Sequence, residues 1–216
     1  MKPLFPRWVD HVVRPALLFG SAAAVAVPAV LIGWVRTPYV TGQFDPRDQP
    51  VQFDHRHHVR DAGIRCEYCH YTARRAPFAS IPPTALCMNC HSQVWNEASL
   101  LEPVRHSYFS GEPIRWRRVN ALPDHVFFDH SAHVTRGVGC VSCHGRVDLM
   151  AQVYQVAPLT MAWCLDCHRD PEPHLRPLAV VSDMEWRPDR PAREIGAEVR
   201  TALHVDAPTT CTACHR

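Results

Sequence analysis

A mostly irregular fold of short α-helices, set behind one N-terminal membrane-spanning helix, is what this sequence predicts, and three observations carry the prediction. Twenty prolines and nine glycines in 216 residues interrupt the chain too often for long helices or a sheet. One uncharged, mostly apolar run, Ala16 to Val35, is long enough to cross a bilayer as a helix. All ten cysteines fall in five copies of one five-residue motif, so the folded part is organised around what those motifs hold.

The copies read Cys66-Glu67-Tyr68-Cys69-His70, Cys87-Met88-Asn89-Cys90-His91, Cys140-Val141-Ser142-Cys143-His144, Cys164-Leu165-Asp166-Cys167-His168 and Cys211-Thr212-Ala213-Cys214-His215. The C-x-x-C-H spacing is the attachment pattern of a c-type haem. Its two thiols take up the two vinyl groups as thioethers, and the imidazole that follows reaches the iron. Structural zinc uses paired C-x-x-C units or Cys-Cys and His-His sets, and a disulfide framework needs only cysteines. Neither gives a reason for a histidine directly after the second cysteine in every copy. The fold class is therefore a multihaem cytochrome c with five covalently bound haem c groups, and His70, His91, His144, His168 and His215 are the proximal ligands. A small chain is short of apolar core, and five macrocycles supply one.

Residues 1–36 form the N-terminal anchor. Arg7 and Arg14 precede the apolar run, so the positive-inside bias places the N-terminus in the cytoplasm and the chain beyond Arg36 outside. Trp8 and Trp34 sit near its ends, where amphipathic rings favour the interface, and Pro28 is expected to kink it. Ala24-Val25-Ala26 is a passable signal-peptide cleavage pattern, but the apolar run continues well past it, which favours a retained signal anchor. The reading is a single-pass protein of the bacterial inner membrane with its haem domain in the periplasm.

Residues 37–216 form that haem domain. Of 23 basic and 21 acidic residues, four basic (Lys2, Arg7, Arg14, Arg36) and one acidic (Asp10) lie before residue 37, which leaves 19 against 20 and a net of −1. Haem propionates add negative charge, which argues against a nucleic-acid partner, whose recognition needs a basic face. Lys2 is the one lysine among the 23 basic residues. A GC-rich genome explains that bias, and so does the bidentate grip of guanidinium on carboxylates such as propionates.

The haem domain contains a repeat. Phe53-Asp54-His55-Arg56-His57-His58 precedes the first motif, and Phe128-Asp129-His130-Ser131-Ala132-His133 precedes the third. Each leads into two C-x-x-C-H motifs, so 51–91 and 126–168 read as two dihaem units, joined by 92–125, with the fifth haem alone in 169–216. Two histidines three apart share one side of a helical turn and can point at neighbouring irons. His55, His58, His130 and His133 are thus the expected distal ligands of four haems. His57 has no counterpart in the second copy, where Ala132 stands. For the fifth iron Met150 is favoured, since a methionine ligand raises the potential of a haem. Met161, His106, His125, His174 and His204 stay open beside it, and methionine is also a common filler around apolar cofactors.

Phe-x-His-x-x-His ahead of C-x-x-C-H is similar to the class III multihaem cytochromes, with bis-histidine irons and little regular structure. The wider pattern is narrower in its match. One N-terminal anchor, five motifs, Leu122-Pro123-Asp124 ahead of Phe128-Asp129-His130, Cys143-His144-Gly145, and Trp163-Cys164-Leu165-Asp166-Cys167-His168-Arg169 resemble the pentahaem cytochrome subunits (ActA) of alternative complex III. That resemblance implies an electron wire in a membrane complex that oxidises quinol and passes electrons to a periplasmic carrier. It implies as partners an iron–sulfur subunit related to molybdopterin enzymes, polytopic quinol-binding subunits and a monohaem cytochrome c. Two other classes stay open: a self-contained quinol dehydrogenase with one anchor, and a catalytic multihaem reductase, which needs an open iron. No separate catalytic residue stands out beside the motifs.

Overall fold

The computed structural model describes residues 5, 6 and 8–215; Lys2 and Arg7, part of the expected positive flank, lie outside them. The chain divides into two units, one ending at Gly42 and one beginning at Gln43.

In the first unit, helix α1 spans Trp8–Val35 with no buried residue. Its 28 residues rise about 42 Å at 1.5 Å each, more than the roughly 30 Å of a hydrocarbon core. It is the one helix among the described residues long and apolar enough to cross a membrane. It begins eight residues before the apolar run, through a polar turn in which Arg14 pairs with Asp10 at 3.0 Å. The helix continues through Pro15 and Pro28; each ring removes one backbone donor. A turn at Pro38–Thr41 follows, closed by Gly42 in the left-handed region (φ 72°), where glycine carries no Cβ penalty.

The second unit has no named strand among the described residues, only isolated bridges such as Val126 with His215 and Val138 with Leu175. Every cysteine motif occupies a helical turn: Cys66–Cys69, α2 (Thr84–His91), Cys140–His144, α4 (Met161–Arg169) and Cys211–Cys214, with α3 (Glu102–Ser110) between. Local chemistry starts these turns. Pro83, at φ −64° and ψ 152°, stands ahead of α2, and the Thr160 hydroxyl accepts from Trp163 N–H at the start of α4. The aliphatic core is small: Leu175, Ile195 and Val199, with Val138, Trp186, Leu203 and Val205 against it.

That core is built by α5 (Ala192–Ala202), which lies on the turn Glu172–His174. Gly196 permits the approach, since a Cβ there would run into the Glu172 carbonyl. Around the contact Arg193 pairs with Asp170 at 2.6 Å and Arg200 with Glu172 at 3.1 Å. Exposed pairs of this kind give about 0–1 kcal/mol each. Each buried Ile or Val gives about 1.5–3 kcal/mol, so apolar burial holds α5 and the ion pairs set its register.

Candidate haem sites

None of the ten cysteines is in a disulfide. Within each motif the thiols stand three residues apart on a helical turn, so both lie on one side of it. Cys90 and Cys211 are exposed and the other eight partly buried. Burial pushes the Cys140 thiol up to about 11, with Cys66 nearby adding to the shift, and the Cys143 thiol up to about 12, with Cys167 next in weight. Such surroundings favour uncharged sulfur, thiol or thioether, over the thiolate that a zinc site needs. Among the described residues no three of His, Cys, Asp and Glu converge as an ion site.

The histidines come together in pairs. Ring centres lie 6.0 Å apart for His58 and His91, 6.3 Å for His130 and His144, 6.1 Å for His133 and His168, and 5.5 Å for His125 and His215. Two imidazoles on opposite sides of one metal, each bonded through nitrogen at about 2 Å, have centres roughly 6 Å apart. The rings of His130 and His144 are parallel to within 7°. Each pair joins one motif histidine to one histidine from outside the motifs. His55 remains, and burial pushes it down to about 4, with His70, the remaining motif histidine, the charged neighbour that adds most. Burial likewise pushes His144 down to about 4, and His133 down. Neutral imidazole is the form that ligates a metal.

Nδ1 of most of these rings is already engaged. His58 and His133 donate to the Asp54 and Asp129 carbonyls four residues back, at 2.9 and 2.7 Å. His130 donates to Pro77 O (2.9 Å), His70 to Ser80 O (2.9 Å), His91 to Val94 O (3.0 Å), His168 to Pro208 O (2.6 Å) and His215 to His125 O (3.3 Å). A ring that donates from Nδ1 presents the lone pair of Nε2, which is how metal-bound histidines are held. His144 meets the Asn120 side-chain amide at 3.3 Å, whose oxygen accepts after a half-turn. His55 differs in that its Nδ1 is buried with no partner.

The repeat has a structural cause that the sequence pattern contains but does not explain. Phe53 meets His55 edge-on (4.8 Å, 80°) and stacks on His58 (4.2 Å, 24°). Phe128 meets His130 edge-on (4.8 Å, 84°) and stacks on His133 (4.5 Å, 30°). The aspartate between them accepts backbone N–H from the turn it starts, Arg56 for Asp54 and Ser131 for Asp129, each at 2.8 Å. So the phenylalanine orients both rings and the aspartate fixes the turn. His57 faces outward instead, against Asp61 at 2.8 Å.

For the fifth motif, the ring that faces His215 is His125. Phe127 N–H donates to Cys214 O at 2.7 Å, and the Val126–His215 bridge lays the His125 segment along the motif. Met150 is buried (6% exposed) at the end of the turn Val147–Leu149, which packs on the turn Arg56–Asp61. Elsewhere, His106 lines a shallow surface cleft with Pro50, Glu102 and Ile114. His174 closes the turn under α5, and His204 is exposed with φ 50°. Met161 is 66% exposed at the start of α4.

Several arginines meet protein carboxylates: Arg56 with Asp54, Arg74 with Glu67, Arg146 with buried Asp148, Arg190 with Glu198. Arg176 differs. It is 9% exposed, its Nε is buried without a partner, and its guanidinium lies 4.9 Å from the Trp186 ring and against Gly139, beside the third motif. A buried orphan donor there suits a carboxylate such as a haem propionate. Paired rings, neutral sulfurs and this donor together fit haem.

Comparison with known proteins agrees. Residues 126–216 match the family described as cytochrome c7 and related cytochrome c. Over 119 residues the chain is 36% identical to the menaquinone reductase, multiheme cytochrome c subunit, of Nitratidesulfovibrio vulgaris, an alignment that covers 55% of each protein. The match thus spans about half the length of that relative. With short helices, no named strand among the described residues and one apolar N-terminal helix, the fold is that of a multihaem cytochrome.

Proposed function

We propose that this multihaem cytochrome holds five covalent haem c groups and carries electrons for a membrane-bound, quinol-oxidising complex of the alternative complex III kind. The observation that carries the reading is the set of imidazole pairs at 5.5–6.3 Å. On this reading His91 and His58, His144 and His130, His168 and His133, and His215 and His125, the last in place of the expected Met150, would each hold one haem iron, and buried His55 would join His70 at the remaining one. Haem supplies one-electron redox chemistry at its iron. The chain supplies thioether anchors, two imidazoles per iron, and Nδ1 bonds that fix tautomer and ring direction. Two imidazoles at each site would leave a bound haem no open position for a substrate, which supports a wire over a catalytic reductase.

Helix α1 serves as a single-pass anchor with the haem domain in the periplasm, supported by Arg14 ahead of the span. The partners are an iron–sulfur subunit related to molybdopterin enzymes, polytopic quinol-binding subunits and a monohaem cytochrome c. Quinol gives up two electrons and two protons at its own subunit; this chain passes the electrons one at a time and makes no bonds. A second reading has one observation behind it: the relative is a menaquinone reductase subunit, which favours electrons running toward menaquinone.

The test is purification of the full chain from native membranes through a C-terminal tag. Co-purifying iron–sulfur and polytopic subunits, with haem reduction by quinol, are expected. Haems reduced by a periplasmic cytochrome and oxidised by menaquinone would select the second reading. A lone chain that quinol reduces would be a self-contained quinol dehydrogenase.

A further inference from the structure

The spatial order of the five motifs differs from their order along the chain. The second motif is tied to the first: Asn89 Nδ2 donates to Tyr68 Oη at 3.3 Å, and their facing histidines, His58 and His55, lie three residues apart. The first is tied to the third through consecutive residues, since Cys140 N–H donates to Val181 O (3.0 Å) while Cys66 Sγ contacts Ser182 O (3.6 Å). The loop that closes on His70 makes the same link, because Pro77 O takes the Nδ1 proton of His130, which faces the third motif. The third is tied to the fourth by His130 and His133, on one helical turn and facing His144 and His168. The fourth is tied to the fifth by Pro208 O, three residues ahead of Cys211, which accepts from His168.

A second, independent observation agrees with that order. Cys90 and Cys211, the two exposed cysteines, belong to the second and fifth motifs, the two ends of the order, while every thiol of the first, third and fourth motifs is partly buried. Exposure marks where a partner's redox centre can approach.

We infer that the five attachment sites form one line in the order second, first, third, fourth, fifth, and that the second and fifth sites are its two ports. This rests on the five-haem reading above. At one port a redox protein with a one-electron centre loses an electron, and at the other a second such protein gains it; no proton or bond changes place. The third site, midway along the line, is the one every electron must pass at equal remove from both partners.

Iron positions in the full, haem-loaded chain, from cryo-electron microscopy of the membrane complex, test the order. The irons of the first, third and fourth motifs should each have two close iron neighbours, and those of the second and fifth one each. A second iron closer to the third than the first iron is, or a branched arrangement, overturns the order. A count other than five overturns the five-haem reading itself. The ports are read by light-driven injection. In the loaded protein all native cysteines are thioethers, so Glu97→Cys, past the second motif, or Arg75→Cys, in the loop by the first, offers one thiol for a ruthenium photoreductant. With His125→Met raising the potential of the fifth site, arrival there should be slower from position 97 than from position 75. Faster arrival from position 97 overturns the proposal.

Discussion

Segments 51–91 and 126–168 place the same side chains in the same relations, and they differ in the width of one turn and the bonding of one nitrogen. In both, a phenylalanine meets the first histidine edge-on and stacks on the second, and the second histidine donates to the aspartate carbonyl four residues back. The turn is α-helical in the later copy (His130–Val134) and wider, π-type, in the earlier one (Arg56–Asp61). The first histidine is where they part. His130 donates to Pro77 O, which belongs to the earlier copy, whereas His55 Nδ1 is buried without a partner. The repeat thus anchors its own second ring from within. Its first ring depends on a neighbour, and the earlier copy has no preceding copy to provide one.

The largest test of the comparison concerns the residue directly ahead of the later copy. His125 has no partner in the repeat, since Pro50 stands at the matching position. His125→Ala should convert one haem in five to a high-spin ferric form, read by electron paramagnetic resonance, whereas Met150→Leu should leave the spectrum unchanged. A low-spin signal lost in the methionine variant instead would return the fifth ligand to Met150. Next in size are the aromatic platforms. Phe53→Ala and Phe128→Ala should each cost about 2 kcal/mol, below the 3–5 kcal/mol of a fully buried Phe, in thermal unfolding of the loaded protein. Unequal losses would show that the copies share geometry without sharing energetics.

Smaller effects resolve finer differences. Asp129→Ala removes the acceptor of the Ser131 and Ala132 N–H groups and should cost about 1 kcal/mol, the usual worth of an N-cap. Asp54→Ala should cost less, because its carboxylate takes backbone N–H from Arg56 alone of the residues in its turn. The smallest effect lies in the unmatched nitrogen. An Nδ1–H that donates makes imidazole a stronger ligand and favours ferric iron, so the site facing His55 should have a higher potential than the one facing His130. One net hydrogen bond is worth about 1 kcal/mol, on the order of 40 mV for one electron. Redox titration resolved by haem would show it, and equal potentials would mean that His55 finds a donor–acceptor partner in the loaded protein.

The cysteine motifs, the apolar span and the duplicated Phe-Asp-His-x-x-His were legible because each is local: a few residues at fixed spacing define it. His125 was not. Its relation to His215 spans 90 residues and depends on the Val126–His215 bridge, and the repeat hid it because it lies just ahead of the later copy, where the earlier one has Pro50. The Leu122-Pro123-Asp124 segment directly ahead of it was the available signal. The roles of Phe53 and Phe128 were visible as letters of the pattern but not as ring orientation. Helix α5 escaped for another reason: its partner is the irregular turn Glu172–His174, which no periodicity announces. Several of the arginines read as propionate partners meet Asp or Glu instead, such as Arg56 and Arg146, and the orphan Nε of Arg176 singles out one.

The hydrogen bond from His130 to Pro77 also has a consequence for biosynthesis. At His130 the later half of the domain borrows a carbonyl from the earlier half, while Arg74 and Cys66 of the earlier half meet the Leu178 and Ser182 carbonyls of the later one. A chain exported from its N-terminus presents residues 51–91 first, and parts made early can fold before later ones emerge. For the His130 ring, the proposed export from the N-terminus puts the lender in place before the borrower arrives. At that one ring, a finished earlier stretch serves as the template for a later one, and the Arg74 and Cys66 contacts close once the chain is whole.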